Sequence, residues 1–240
     1  MTMSELVPAA DLERLAVVAN NTMNRERGLN GVNSYARELG LDPLRHLAGL
    51  SPAPSWLDLC SGEGRALCEA ASALPAGAVL TGVDLVGPLG AVPGPPAPEL
   101  VVASVTRWAP DRTYDLITCV HGLHYVGDQL GLLSRAASWL APGGLLLAHF
   151  DPDSVRGPDG APAGRAAVRA LRAAGFRYSA RHHRLSLRGA REVRLPFRYL
   201  GADPAAGPNY TGQPAVGSYY SSVAADGPSK GTGTELADSR

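Results

Sequence analysis

Two short apolar runs, each ending on an aspartate, constrain this chain more than any other feature. The first, Ser55-Trp56-Leu57-Asp58, enters the small-residue turn Leu59-Cys60-Ser61-Gly62-Glu63-Gly64 and then a stretch with helical spacing. The second, Val79-Leu80-Thr81-Gly82-Val83, ends on Asp84. Short apolar runs bounded by turn residues read as buried strands. A buried strand, a glycine turn, a helix and a second strand ending on an acid describe a nucleoside pocket at the carboxyl edge of a parallel sheet.

The alternation continues downstream. The pattern predicts strand 55–60, helix 63–73, strands 78–84, 99–104 and 114–120, helix 128–140, strand 144–150 and helix 162–174. Such an order means a parallel sheet with covering helices joined by right-handed crossovers. Between Asp84 and Glu99, prolines at 88, 93, 95, 96 and 98 argue against the usual crossover helix. Each would cost a helix interior about 3 kcal/mol, so a loop is expected there. Phe176 to Arg188 and Glu192 to Leu200 read as extended runs joined at Gly189-Ala190, a link that permits only antiparallel pairing.

Asp11 to Val18 and Val32 to Leu39 carry helical spacing, so two or three short helices precede the sheet. Residues 201–240 hold seven Gly and four Pro with little aliphatic periodicity; they are expected to be irregular, and disordered from about Ser221. The exception is the stretch from Asn209-Tyr210-Thr211 to Tyr219-Tyr220, whose aromatics could fold back over the site.

At 240 residues and 45% apolar, the chain can bury one substantial core. No apolar run approaches the roughly 18 residues of a spanning helix, and the N-terminus lacks a signal-peptide layout, so a cytoplasmic location is expected. Cys60, Cys68 and Cys119 are odd in number without Cys-x-x-Cys spacing, which indicates neither a disulfide framework nor a zinc cluster. No metal site is expected, since His182 and His183 adjoin Arg181 and Arg184 in an extended run. The net charge of zero is unevenly spread: residues 1–164 carry −7 and residues 165–198 carry +9. Arg165, Arg169 and Arg172 read as the solvent face of a helix, with Arg177 to Arg198 alternating outward from strands. The other reading is a basic face that steers an anionic acceptor.

Asp58-Leu59-Cys60-Ser61-Gly62-Glu63-Gly64, Gly82-Val83-Asp84-Leu85, Tyr114-Asp115-Leu116-Ile117 and Leu140-Ala141-Pro142-Gly143-Gly144 stand in this order on the right elements. Together they resemble class I S-adenosylmethionine-dependent methyltransferases over residues 55–150, and the terminal hairpin extends the likeness to about 200. The resemblance implies an α/β fold: a Rossmann-like, seven-stranded, mostly parallel sheet ending in an antiparallel hairpin. Residues 1–54 would form an N-terminal helical lid, 55–200 the methyltransferase domain and 201–240 a tail.

It also implies S-adenosylmethionine as cofactor. The turn Asp58, Cys60, Ser61, Gly62 and Gly64 would hold the methionine end, with Cys60 standing where the family usually has glycine. Asp84 would accept from the ribose hydroxyls, since a carboxylate offers two acceptor oxygens and no donor. Leu85 would lie on the adenine, and Ser104 would stand where an acid often reads the amino group, with Val105 offering its N–H. Cys119 ends the fourth strand beside the reacting centre, and Tyr35 is either a core aromatic or part of the lid.

Methyl transfer is an in-line displacement that needs alignment and desolvation, plus a base where the acceptor carries a proton. His121 is the first choice for that base and His124 the second, because imidazole titrates near neutrality; His149 is a distant third. The acceptor expected is a small-molecule natural-product intermediate or a modified peptide, methylated on oxygen or nitrogen. Arginine-rich composition with the single lysine Lys230 suggests a high-GC bacterial source.

A dinucleotide oxidoreductase would want a third glycine where Leu67 stands. A nucleic-acid base methyltransferase draws support from the Arg-rich segment, but the fourth strand lacks the Asn/Asp-Pro-Pro-aromatic loop of that class. A non-catalytic cofactor-binding scaffold is the remaining alternative.

Overall fold

The computed structural model describes residues 6–19, 26–50, 53–87 and 97–223. Seven strands form its main sheet: β1 (Ser55–Leu59), β2 (Val79–Asp84), β3 (Glu99–Val102), β4 (Tyr114–Cys119), β5 (Leu140–His149), β7 (Arg177–Ser179) and β8 (Arg184–Arg188). Their order is β3-β2-β1-β4-β5-β8-β7. The first five are mutually parallel, and β8 runs antiparallel to both β5 and β7. The seven-stranded Rossmann-like expectation is met.

Side chains alternate faces along each strand, and both faces are buried. Trp56 and Leu116 pack on one side with Leu67, while Leu57 and Ile117 pack on the other with Leu130 and Leu133. Asp58 on β1 is opposite Gly82 on β2 and Thr118 on β4, so the ends of the three strands share one edge. The helices α5 (Arg65–Ala71), α6 (Gln129–Ser138) and α7 (Gly164–Ala173) connect them. Helix α7 buries Ala167, Val168 and Leu171 and exposes Arg165, Arg169 and Arg172, which is the solvated face anticipated for those arginines.

The expected hairpin across Gly189-Ala190 is not the one formed. The run 176–188 itself folds back, with Ala180–His182 in a 3-10 turn and His183 at φ 44°, so that Arg177 pairs with Ser186. His182 and His183 therefore occupy a turn rather than a strand. At Gly189 the chain leaves the sheet: its N–H bonds Gly144 O at 2.8 Å, and Arg191 N–H bonds Ala137 O at 3.2 Å. The second extended run then serves a different sheet, in which β6 (Val155–Arg156), β10 (Gly217–Ser222) and β9 (Phe197–Asp203) lie in the order β6-β10-β9.

That second sheet corrects the reading of 201–240 as irregular. Strand β10 buries Ser218, Tyr219 and Tyr220, residues that a search for aliphatic periodicity passes over. Tyr220 OH donates to Asp128 Oδ1 at 3.2 Å and accepts from Leu130 N–H at 3.1 Å, which fixes the strand to the start of α6. Strand β10 takes in Ser221 and Ser222, where disorder is expected to begin; the rest of that expectation, beyond residue 223, and the stretch 88–96 of the expected proline-rich loop lie outside the described residues.

Among the described residues, four short helices precede the sheet: α1 (Ala9–Leu12), α2 (Ala16–Ala19), α3 (Tyr35–Leu39) and α4 (Pro43–Ala48). Val7 exchanges two backbone hydrogen bonds with Ala202, and Leu12 packs on Ala202 and Val216. This anchors α1 beside the carboxyl edge. Ser34 caps α3 by accepting Arg37 N–H at 3.3 Å.

Candidate active site

At the carboxyl edge lies a pocket walled by Asp84, Leu85 and Val86 after β2, Ser104 and Val105 after β3, and Val120 and Gly122 after β4. Cys60 and Gly62 line it from the turn after β1, and Glu13, Arg27 and Tyr35 from the N-terminal segment. Asp84 Oδ2 accepts Gly62 N–H at 2.9 Å and its Oδ1 accepts Val86 N–H at 3.0 Å. These two backbone bonds fix the plane of the carboxylate. An oriented acid beside the apolar Leu85 and Val105 suits a ribose diol next to an adenine.

The turn takes left-handed backbone three times in five residues, at Cys60 (φ 59°), Gly62 (φ 61°) and Gly64 (φ 68°). Glycine adopts this freely, whereas a side chain costs roughly 1–2 kcal/mol. Cys60 thus holds the conformation of the glycine it replaces, under strain. Gly64 also makes room for a neighbour. A Cβ there would come within 2.6 Å of Leu100 Cδ2, so this glycine lets the start of α5 pack on β3. Ser61 turns from the pocket, its Oγ lying against Gly82. Cys119 is buried against the half-buried Cys60 beneath Gly122, and of the two only Cys60 lines the pocket.

Asp58 is a bracket rather than a pocket wall. Its Oδ2 accepts from Tyr35 OH at 2.5 Å and its Oδ1 from Thr118 Oγ1 at 2.5 Å, while Trp56 Nε1 donates to Thr118 Oγ1 at 2.7 Å. Burial pushes its carboxyl up to about 7, against the pull of the two hydroxyl bonds and with help from the nearby Asp84 charge. Burial and then Asp58 in turn hold the Tyr35 hydroxyl well above its ordinary value. Tyr35 packs edge-on against Trp56 and also lines the pocket, so it is core and roof at once.

Ser104 does not face the pocket alone. It bonds Glu13 Oε1 and, at 2.7 Å, Thr106 Oγ1, while Glu13 Oε2 pairs with Arg107 at 2.9 Å. Where the third strand supplies no acid, the N-terminal segment brings one. Nothing in the sequence around Glu13 announces this role.

Beyond the pocket, His121 (φ 58°) opens the 3-10 turn Gly122–Tyr125, and its two chain neighbours line the pocket. Its Nε2 lies 3.0 Å from Glu38 Oε2, and His149 Nε2 lies 3.6 Å from the same oxygen. The rings of His121 and His149 stack at 4.1 Å and 1°. Arg27 pairs with Glu38 Oε1 at 2.9 Å. The hydrogen bond from His121 draws Glu38 down to about 2, outweighing its burial, with the His121, Arg27 and His149 charges assisting. Burial, then the His121 charge, lowers His149 to about 3.

His124 is buried, has no partner on either nitrogen among the described residues, and is lowered to about 3 by burial first and then by His121 and His183. The second choice for a base is therefore shut away. Tyr210 closes the cluster: it stacks on His183 at 3.8 Å, meets His124 edge-on at 5.3 Å and places its hydroxyl 3.5 Å from His121 Nδ1. Glu38, His149, His183 and Tyr210 border an open cleft of about 430 Å³ whose rim includes Arg37 and Arg181. Arg184, read from sequence as part of an outward basic face, instead donates to Glu38 O at 3.3 Å and to Leu39 O. It caps the C-terminus of α3, which Gly40 (φ 59°) leaves clear.

A family model described as "Methyltransferase domain" matches residues 32–199. The chain belongs to this methyltransferase-domain family. Among solved structures it is similar to the plantazolicin methyltransferase BpumL (19% identity, 40% of this chain and 38% of that chain, TM-score 0.33). It is also similar to CalS10, an amino pentose methyltransferase from Micromonospora echinaspora (21%, 48% and 50%, TM-score 0.37). A third likeness is to phosphoethanolamine N-methyltransferase 2 of Haemonchus contortus (18%, 57% and 34%, TM-score 0.41). The chain spans half or less of the length of these structures. No curated protein matches it. No described helix is long and apolar enough to cross a membrane.

Proposed function

We propose that this protein methylates an O–H or N–H group of a small-molecule or modified-peptide acceptor, with S-adenosylmethionine as the methyl donor. The observation that carries the reading is the Asp84 carboxylate, set by Gly62 and Val86 N–H groups at the mouth of a pocket walled by Leu85 and Val105. Asp84 would hold the ribose hydroxyls, Leu85 and Val105 the adenine faces, and the Glu13–Ser104 pair the adenine amino group. The backbone at Cys60 and Gly62 would meet the methionine end. When bound, the cofactor supplies an electrophilic methyl group on a sulfonium.

The chain's own part is to align the acceptor and take its proton. Glu38 accepts from His121 Nε2–H, which leaves the Nδ1 lone pair as the base, on the side of Tyr210. The adjoining cleft is within the range of small-ligand sites, and Arg37 and Arg181 on its rim favour an acceptor bearing an anionic group. Turnover of candidate acceptors with isotope-labelled cofactor, read by mass spectrometry, tests the reading. Labelled product that disappears in an Asp84→Ala variant supports it; cofactor binding without transfer to any acceptor would favour a scaffold.

A further inference from the structure

The cluster around Glu38 has more polar capacity than the protein fills. Among the described residues, His149 Nδ1 and both nitrogens of His124 are buried without hydrogen-bond partners, a costly arrangement beside one carboxylate. Glu38 Oε2 lies 3.0 Å from His121 Nε2 and 3.6 Å from His149 Nε2, and the three ligand atoms fall within 4.8 Å of one another. An ion bound at about 2.0–2.2 Å by nitrogen and oxygen ligands sets them roughly 3.0 to 3.5 Å apart. The carboxylate is pre-oriented, because Arg27 takes Oε1 and turns Oε2 to the histidines; the two rings, stacked parallel at 4.1 Å, must rotate for their in-plane lone pairs to meet at one ion.

We propose that Glu38, His121 and His149 bind a divalent transition-metal ion such as Zn²⁺, and that the bound ion silences His121. Two imidazoles and one carboxylate suit zinc, cobalt or nickel over magnesium or calcium, which take oxygen ligands. Three protein ligands leave positions open toward the cleft. The guanidiniums of Arg27 and Arg184 oppose a dication, so ligation rather than the surrounding field must hold it. The silencing follows from proton count. A neutral imidazole carries one N–H, and an ion on Nε2 sends that proton to Nδ1, which removes the lone pair that would accept the acceptor's proton. This consequence rests on the proposed methyl transfer; the ion site does not.

The test uses the full chain, stripped with chelator and dialysed against Zn²⁺ alone, with bound metal measured per chain and Co²⁺ absorption as a second probe. One ion per chain is expected, with affinity falling at least about 100-fold in Glu38→Gln and in His149→Gln and unchanged in His46→Ala, whose imidazole lies on α4 and does not line the cleft. Circular dichroism confirms that each variant is folded, and either ligand variant alone suffices for the comparison. Nitrogen NMR of the imidazoles should show the His121 proton moving to Nδ1 when Zn²⁺ is added. No stoichiometric ion in the wild type, or wild-type affinity in a folded ligand variant, overturns the site and leaves the methyl-transfer reading standing. A bound ion with the His121 proton unmoved overturns the silencing.

Discussion

Tyr35 and Glu38 stand one turn apart on α3 and serve two different sites: the Tyr35 hydroxyl donates to Asp58 at 2.5 Å, and the Glu38 carboxylate holds His121 at 3.0 Å. Residues three apart share a helix face, so one short helix positions both the roof of the nucleoside pocket and the partner of the base. A five-residue helix is too short to hold itself. Its ends are fixed by Ser34 and by Arg184.

Arg184→Ala should therefore act on both sites. Loss of its bonds to the Glu38 and Leu39 carbonyls is expected to cost about 1–2 kcal/mol of stability and to weaken cofactor binding and turnover together. Denaturant titration and calorimetry check this. A variant with lost turnover but intact stability would return Arg184 to a substrate-steering role.

Asp58 should give stability an unusual pH dependence. Its carboxyl rises from 3.8 to about 7 on folding, so the native state holds the proton more tightly than the unfolded chain. Stability contributed by Asp58 is complete below about pH 4 and is lost as pH climbs through about 7. Glu38, lowered to about 2, works the other way, losing stability as pH falls below 4.5. Melting temperatures of wild type and Asp58→Asn across pH 4 to 8 should diverge in favour of the variant as pH rises. Parallel curves would contradict the buried bracket.

The residues of the turn after β1 differ in what they support. Cys60→Gly should relieve left-handed strain and change stability by no more than about 1 kcal/mol, with cofactor affinity kept. Val at either glycine carries the left-handed backbone penalty; Gly64→Val should cost more of the fold, through Leu100, while Gly62→Val should also abolish cofactor-induced thermal stabilisation. Equal loss of fold at both glycines would remove the distinction.

His121→Ala is expected to lower kcat by roughly 10²- to 10⁴-fold with cofactor affinity little changed. Glu38→Gln, which keeps the size but removes the charge, should lower kcat less than His121→Ala does. Near-normal kcat in both variants, once an acceptor is known, would leave alignment and desolvation as the whole of catalysis.

The parallel core was legible because its strands are apolar runs bounded by turns, and Asp84 and Gly62 announced the pocket through their position after β1 and β2. Glu13, Arg27 and Glu38 were not legible. They stand on short helices or loops whose local pattern is indistinguishable from solvated polar residues, and only the tertiary fold brings them to the sheet edge. Asp58 was visible as a strand-end acid, but its burial under Tyr35 depends on a contact 23 residues distant in sequence. The hairpin was misplaced because a run of alternating residues gives no sign of the tight turn inside it. Tyr210 was marked only as an aromatic exception in a tail, yet it reaches His121.

The central claim is that Asp84 holds the ribose of S-adenosylmethionine. Isothermal calorimetry of wild type and Asp84→Ala with S-adenosylmethionine or its demethylated product tests it most directly. Losing two charge-assisted hydrogen bonds, each worth about 1.5–3 kcal/mol, should weaken binding more than about tenfold in a variant that remains folded. Unchanged affinity in folded Asp84→Ala would contradict the pocket and the function built on it.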